Sequence, residues 1–431
     1  MYSISRKASL HGEVIVPGSK SHTIRSVLLA AMAEGKSVIN NPLTSDDGLS
    51  ALNAARAFGA EVIEEPGVWI VEGKGKKLHV PENFIDTKNS GTTTTFVASM
   101  AALLDGYTFI TGDHQIRRRP IKPLADALNE LGAQAFLTRP GAVAPPVVIG
   151  GKMRGGRVSF SGFNSQFISS ILLSSPLAEG DTEIIVENPL EKPYLQMTLD
   201  WMKLYGVVPS EASQDYKYFA VKGNQSYKAV DSTVPSDWSG VAFPLVAAVT
   251  TPSEVVISGV DFDDCQGDKA VVDHLIAMGA DITKDSKNKR MVIKGGTPLR
   301  GGLTIDLNDI PDSLPALSVA ACFAQGKTTF INLAHVRVKE TDRVGVMENE
   351  LKKLGADIET GSDYMIVNGG KALTGANVDS YDDHRVAMAL TVAGLFAKGE
   401  TKVRDAQCAS VSFPRFFELM NKIGANIVLE E

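Results

Sequence analysis

The feature that most limits what this chain can fold into is an internal repeat. A helix-like segment ending in Gly, then Ala or Val, then a short β-rich run occurs six times: AARAFGAEVI, ALNELGAQAF, WMKLYGVVPS, LIAMGADITK, ELKKLGADIE and LMNKIGANIV. Their glycines are Gly59, Gly132, Gly206, Gly279, Gly355 and Gly424, at successive spacings of 73, 74, 73, 76 and 69 residues. A glycine at that place supplies the left-handed C-cap that turns a helix into a strand. A second series runs in step. SVLLAAMAEGKSVI, FVASMAALLDGYTFI, ISSILLSSPLAEGDTEIIV, GVAFPLVAAVTTPSEVVI, LSVAACFAQGKTTFI and MALTVAGLFAKGETKV each read as a buried helix, a turn and a strand. In the fourth copy Thr-Pro-Ser replaces the turn glycine and still breaks the helix. Solenoid repeats are shorter, roughly 20–50 residues. Units of this size point instead to closed α/β (α+β) domains, most simply three repeats in each of two.

Length agrees, since 431 residues exceed one ordinary core. The composition, 44% hydrophobic and 22% charged, is that of a soluble globular protein. A net charge of −7 argues against a nucleic-acid binder held by a general basic field. Cys265, Cys322 and Cys408 form neither a disulfide framework nor a metal spacing, so no metal is expected and a reducing cytoplasm is the simplest location. The first residues lack an apolar signal region, and no apolar run reaches transmembrane length.

Each apolar helix is preceded by a polar, glycine- or proline-punctuated loop: PGSKSHTIR, KNSGTTTTF, SGFNSQF, VPSDWSGVAF, DIPDSLPAL and YDDHRVAM. The first is neither of the common phosphate loops. On the residues alone it has two readings. Ser19 or Ser21 caps a helix with Lys20 solvated, or the unpaired amides and positive dipole of the helix start receive an anion. Arg119, Lys339, Arg343 and Arg385 lie near other helix starts, where cations are unfavourable. Several such misfits in matching repeat positions favour bound anions, and Asp312, Glu340 and His384 among them add acid–base groups. His22 and His114 read as loop residues. The residues thus describe an enzyme for phosphate- or carboxylate-bearing substrates, working without a metal or other cofactor.

P-G-S-K-S-x-x-x-R, N-S-G-T, S-Q-F, the P-D of repeat five, VRVKETDRV at 336–344 and D-H-R at 383–385 resemble, in order, the 5-enolpyruvylshikimate-3-phosphate synthase family. The resemblance implies two similar domains, each of three βαβαββ units with parallel buried helices in pseudo-threefold arrangement, and a cleft between domains. It implies boundaries of 1–18 plus 236–431 for one domain and 19–235 for the other. It also implies a transferase of the shikimate pathway, which leads to chorismate and aromatic amino acids. That reaction moves the enolpyruvyl group of phosphoenolpyruvate to the 5-hydroxyl of shikimate 3-phosphate by addition and elimination.

Carried onto this sequence, Lys20, Gly91, Arg119, Gln166, Arg343 and Arg385 would hold phosphoenolpyruvate. The shikimate 3-phosphate set would be Lys20, Ser21, Arg25, Asn164, Ser165, Gln166, Tyr194, Asp312, His335 and Lys339. Ser21 and Arg25 would meet its carboxylate, and Ser165 and Lys339 its phosphate. Asp312 would act as the acceptor's base, with Glu340 and Lys20 moving protons at the methylene carbon. The partners implied are small molecules, with no nucleic acid or membrane, and the chain is expected to be monomeric. Five positions depart from the family pattern: Thr95 for Arg, Val411 for Lys, Asn164 for Ser, His335 for Asn, and Glu191 for the Ser or Thr at the acceptor's phosphate. They keep open a transferase for another cyclic acceptor, or a non-catalytic phosphoenolpyruvate-binding relative. The sister enzyme acting on UDP-N-acetylglucosamine is disfavoured, because GDHQIRRRP lacks its reactive Cys. An RNA-processing cyclase of similar units is disfavoured by acidity and repeat number.

Overall fold

The computed structural model describes residues 1–162 and 164–431. The chain divides into two compact units, Met1–Pro17 with Pro235–Glu431, and Gly18–Val234. These divisions fall one residue before the expected boundaries.

Gly18–Val234 contains three sheets of one pattern. In the second repeat, Ile85–Asp86 runs parallel to Tyr107–Thr111. Val147–Gly150 then pairs antiparallel with Tyr107–Thr111, and Gln134–Leu137 antiparallel with Val147–Gly150. The helices Gly91–Ala101 and Lys122–Glu130 alternate with these strands in the order βαβαββ. The first repeat completes the pattern with distant chain: Tyr227–Lys228 and Ser232–Thr233 supply the strand parallel to Ala33–Asn40.

The other unit has three four-stranded sheets in the same order. Its two N-terminal strands are dispersed between repeats. Leu10–Ile15 lies parallel to Ser253–Ser258 in the fourth repeat. Tyr2–Arg6 is inserted between Glu400–Arg404 and Asn426–Glu430 in the sixth, antiparallel to both.

The six apolar segments are the buried helices Lys20–Met32, Gly91–Ala101, Ser165–Ser174, Trp238–Thr250, Leu314–Phe323 and His384–Gly394. From His22 to Met32 every residue is buried, which explains why this helix is apolar nearly all round. Trp238–Thr250, Leu314–Phe323 and His384–Gly394 contact one another pairwise and form the centre of their unit's hydrophobic core. Each fully buried Leu or Val there contributes about 1.5–3 kcal/mol.

All six repeat glycines adopt positive φ, between +84° and +99°. Each closes the same pair of hydrogen bonds. The Gly355 amide donates to the Lys352 carbonyl and the Ala356 amide to Leu351, and the other five copies repeat that offset. This Schellman arrangement satisfies the last helical carbonyls, so the glycine series marks a backbone requirement. Among the described residues no helix is long and apolar enough to cross a membrane.

Candidate functional site

In the unit formed by Met1–Pro17 and Pro235–Glu431, four expected residues meet in one ion-pair cluster. Arg343 is the first residue of helix Arg343–Lys353, where its charge opposes the helix dipole. Three carboxylates offset that. Arg343 Nη1 donates to Asp312 Oδ1 at 2.7 Å, Nη2 to Glu340 Oε2 at 2.5 Å, and Nε to Asp383 Oδ2 at 2.8 Å. Arg343 is wholly buried, and the carboxylates more than offset the cost of burying its charge, holding its pKa above the ordinary arginine value. Glu340 and Arg343 are therefore an i,i+3 pair, but an interior one and not a surface one.

Arg385 is the second residue of helix His384–Gly394. Its Nη2 lies 2.9 Å from Asp312 Oδ2 and donates to Ser239 Oγ at 2.9 Å. Asp312 thus holds a different guanidinium on each oxygen. It sits in the short turn Pro311–Ser313, and no side-chain cap bond starts helix Leu314–Phe323. Its carboxylate faces arginines and does not cap that helix. His335 is buried in the turn Ala334–Val338, and Lys339 follows it, partly exposed.

Two members of this cluster were not anticipated. Asp383 belongs to the D-H-R motif, yet no role was assigned to it. It caps its helix by accepting from the Arg385 and Val386 amides, and binds Arg343 as well. Asp268, in CQGDK, is buried and accepts from Ser313 Oγ at 2.7 Å. Burial first and the Asp312 charge second push its carboxyl up to about 7. The signal available in sequence was an acidic residue opening the second helix of repeat four, one of many such positions.

In Gly18–Val234 the expected residues are distributed among three helix starts. Lys20 and Ser21 are the first two residues of helix Lys20–Met32, and Ser19 makes no side-chain cap bond. Lys20 Nζ lies 3.5 Å from Asp47 Oδ2, a buried carboxylate at the start of helix Asp46–Ala57. The reading of Lys20 as simply solvated therefore fails. His22 is a correction: it lies inside the buried helix, not in a loop, and accepts from Trp201 Nε1 at 2.8 Å. His114 does lie in an exposed turn.

Arg25 is buried with its guanidinium 5.0 Å from the centre of the Phe96 ring. It donates to Thr198 Oγ1 at 2.9 Å, to the Ser21 carbonyl at 3.0 Å and to the Tyr194 carbonyl at 3.2 Å. This one side chain joins two of the expected acceptor contacts. Gly91 opens helix Gly91–Ala101, and a Cβ there would lie 2.7 Å from Arg119 Nη1. A side chain at this position would displace the Arg119 guanidinium from where it lies. Arg117 and Arg118 are exposed, and Thr95 is buried in the same helix with its hydroxyl on the Thr92 carbonyl.

The third loop differs from expectation in detail. The Asn164 side-chain oxygen accepts from the Gln166 amide at 2.9 Å, so Asn164 is the helix cap and its acceptor is already engaged. Ser165 donates to Glu191 Oε2 at 2.7 Å. Glu191 is buried at the start of helix Lys192–Leu204 with φ of +52°.

The family model described as EPSP synthase (3-phosphoshikimate 1-carboxyvinyltransferase) matches residues 4–420. A 3-phosphoshikimate 1-carboxyvinyltransferase of Acetivibrio thermocellus is 46% identical over 422 residues, 98% of each chain. One from Ruminiclostridium cellulolyticum is 45% identical over the full length of both chains, 429 aligned residues. One from Methanocaldococcus jannaschii is 42% identical over 98% of each. Among solved structures, the EPSP synthase of Acinetobacter baumannii superimposes with a TM-score of 0.84 at 29% identity, covering 100% of this chain and 99% of that one.

Proposed function

The chain belongs to the EPSP synthase (3-phosphoshikimate 1-carboxyvinyltransferase) family, and we propose that it transfers the enolpyruvyl group of phosphoenolpyruvate to the 5-hydroxyl of shikimate 3-phosphate. The observation that carries this reading is Asp312, gripped by Arg343 and Arg385 with Glu340 on the same guanidinium. Such a cluster contains the two things the reaction requires: planar cations for a carboxylate and a phosphate, and carboxylates for proton transfer.

In the addition step the acceptor oxygen bonds to C2 of phosphoenolpyruvate, losing its proton to Asp312, while C3 gains a proton and becomes a methyl group. In the elimination step the methyl loses a proton and the C2–O bond to phosphate breaks, so the vinyl group is restored and inorganic phosphate leaves. Arg343 and Arg385 bind the donor's anionic groups, together with Lys20, Gly91, Arg119 and Gln166. As they turn toward those anions they release the Asp312 oxygens, and a base is exposed when the donor is bound. Glu340 and Lys20 exchange the proton at C3. On the acceptor, Arg25 supplies the charge for the carboxylate and orients Ser21 and Tyr194. Ser165 and Lys339 receive the phosphate, and His335 lines that pocket. Asn164 contributes through the cap that shapes the Ser165 turn.

The same reading puts the chain in the cytoplasm, in keeping with its three scattered cysteines, and makes it a monomer, which light scattering in solution checks. The Ser165–Glu191 bond favours a second reading, in which the acceptor carries no phosphate. Phosphate release by purified protein decides between them. Release that requires both phosphoenolpyruvate and shikimate 3-phosphate, and is lost in Lys20→Ala, supports the first reading. Equal turnover with unphosphorylated shikimate supports the second, and release with neither acceptor refutes both.

A further inference from the structure

A buried carboxylate beside a residue assigned to a phosphate is the least expected contact in the molecule. Glu191 is only 4% exposed, and its Oε2 accepts the Ser165 hydroxyl at 2.7 Å. A hydroxyl has one proton to donate, so Ser165 cannot give it to Glu191 and to a ligand phosphate at once. Carboxylate and phosphate are both acceptor-only anions at neutral pH and would repel one another at that distance. Two features hold the carboxylate in place. Glu191 precedes helix Lys192–Leu204, thirteen residues long, whose positive end favours an anion. Its left-handed φ of +52° is uncommon for a residue with a side chain, and its carbonyl accepts the Tyr194 amide, closing the turn that sets this geometry.

We infer that Glu191 is an internal anion occupying the acceptor's phosphate position, and that a phosphorylated acceptor binds by displacing it from Ser165. The inference rests on the assignment of Ser165 to the acceptor's phosphate in the proposed function. Glu191 then acts as a specificity determinant. It weakens the hold on the phosphate without touching the ring, so the protein discriminates less between shikimate 3-phosphate and shikimate than a chain with Ser or Thr at this position. It also gives the empty protein a Ser165 hydroxyl already bonded within the protein.

The test is equilibrium binding of shikimate 3-phosphate and of shikimate by calorimetry, which does not depend on turnover. Glu191→Ser, which supplies a hydroxyl in place of the carboxylate, tightens shikimate 3-phosphate binding about tenfold, the scale of exchanging one charge-assisted hydrogen bond. Glu191→Gln, which keeps the size and can still accept from Ser165, tightens it about threefold by removing the charge alone. Neither variant changes shikimate binding. Equal or weaker shikimate 3-phosphate binding in the folded variants overturns the inference. A structure of the unaltered protein with shikimate 3-phosphate provides a check that needs no variant: Ser165 Oγ leaves Glu191 and meets the phosphate, and persistence of the 2.7 Å bond contradicts the inference. Failure of the functional reading looks different. It is the absence of phosphate release from the unaltered protein, whatever the two binding constants are.

Discussion

The two units handle buried arginine in opposite ways. Arg343, in the unit with both chain termini, is bonded to three carboxylates. Arg25, in the other, is equally buried but donates to a threonine hydroxyl and to backbone carbonyls, over a phenylalanine ring. A guanidinium among neutral oxygens stays an attractive partner for an incoming carboxylate. One among carboxylates must exchange a protein anion for a substrate anion, and that exchange frees an acid or a base. The first arrangement suits recognition of an acceptor, and the second suits chemistry. In the unit of Arg25, Ser165 donates to a buried carboxylate, Glu191.

Mutation separates the two cases. Arg343→Met removes the guanidinium shared by Asp312, Glu340 and Asp383, leaving Asp312 with Arg385, and should cost about 3–5 kcal/mol in urea unfolding. Arg25→Met leaves the Thr198 hydroxyl and the Ser21 and Tyr194 carbonyls without this donor and should cost about 1–3 kcal/mol. Equal losses would break the comparison.

The pH dependence of stability sharpens it further. Asp268 titrates at about 7 in the fold because of its burial and the charge of Asp312, whereas an unfolded aspartate titrates near ~3.9. Across that interval the folded protein retains a proton that the unfolded chain has shed. Its contribution is therefore complete below about pH 4 and declines as pH rises through 7, by up to about 1.4 kcal/mol per unit. Asp268→Asn keeps an acceptor for Ser313 and should flatten that decline between pH 5 and 7.5. An unchanged slope would remove Asp268 from the account.

Smallest is the effect of a repeat glycine. A Cβ at Gly355 meets nothing within 4 Å, so Gly355→Ala carries only the backbone cost of its φ of +95°, about 1–2 kcal/mol, with kcat unchanged. A loss of kcat would mean that this cap communicates with the site.

Legibility in the sequence followed the range of the interaction. The glycine caps and the apolar helices are local: a left-handed residue and a wholly buried helix leave their mark within a dozen positions. Strand membership is not local. Nothing in YSISR says that it will be inserted between Glu400–Arg404 and Asn426–Glu430, and its place in the second half of the chain was implied only by family resemblance. At the site, Lys20, Arg343 and Arg385 stood out because cations at helix starts are misfits. Asp312 and Glu340 stood out with them, but three further carboxylates did not, since Asp47, Asp268 and Asp383 sit where acidic residues are ordinary, near helix N-termini. Asn164 is the helix cap because its side-chain oxygen reaches the Gln166 amide, and Ser165 bonds across the turn to Glu191, a distant partner that no local pattern shows.

The central claim is that this cluster performs addition and elimination, with C3 of phosphoenolpyruvate passing through a methyl group. Turnover in deuterium oxide, followed by proton NMR, tests it most directly. The account predicts deuterium in the vinyl methylene of the product, formed only when both substrates are present and lost in Asp312→Asn. Product that carries no deuterium at that carbon would contradict it.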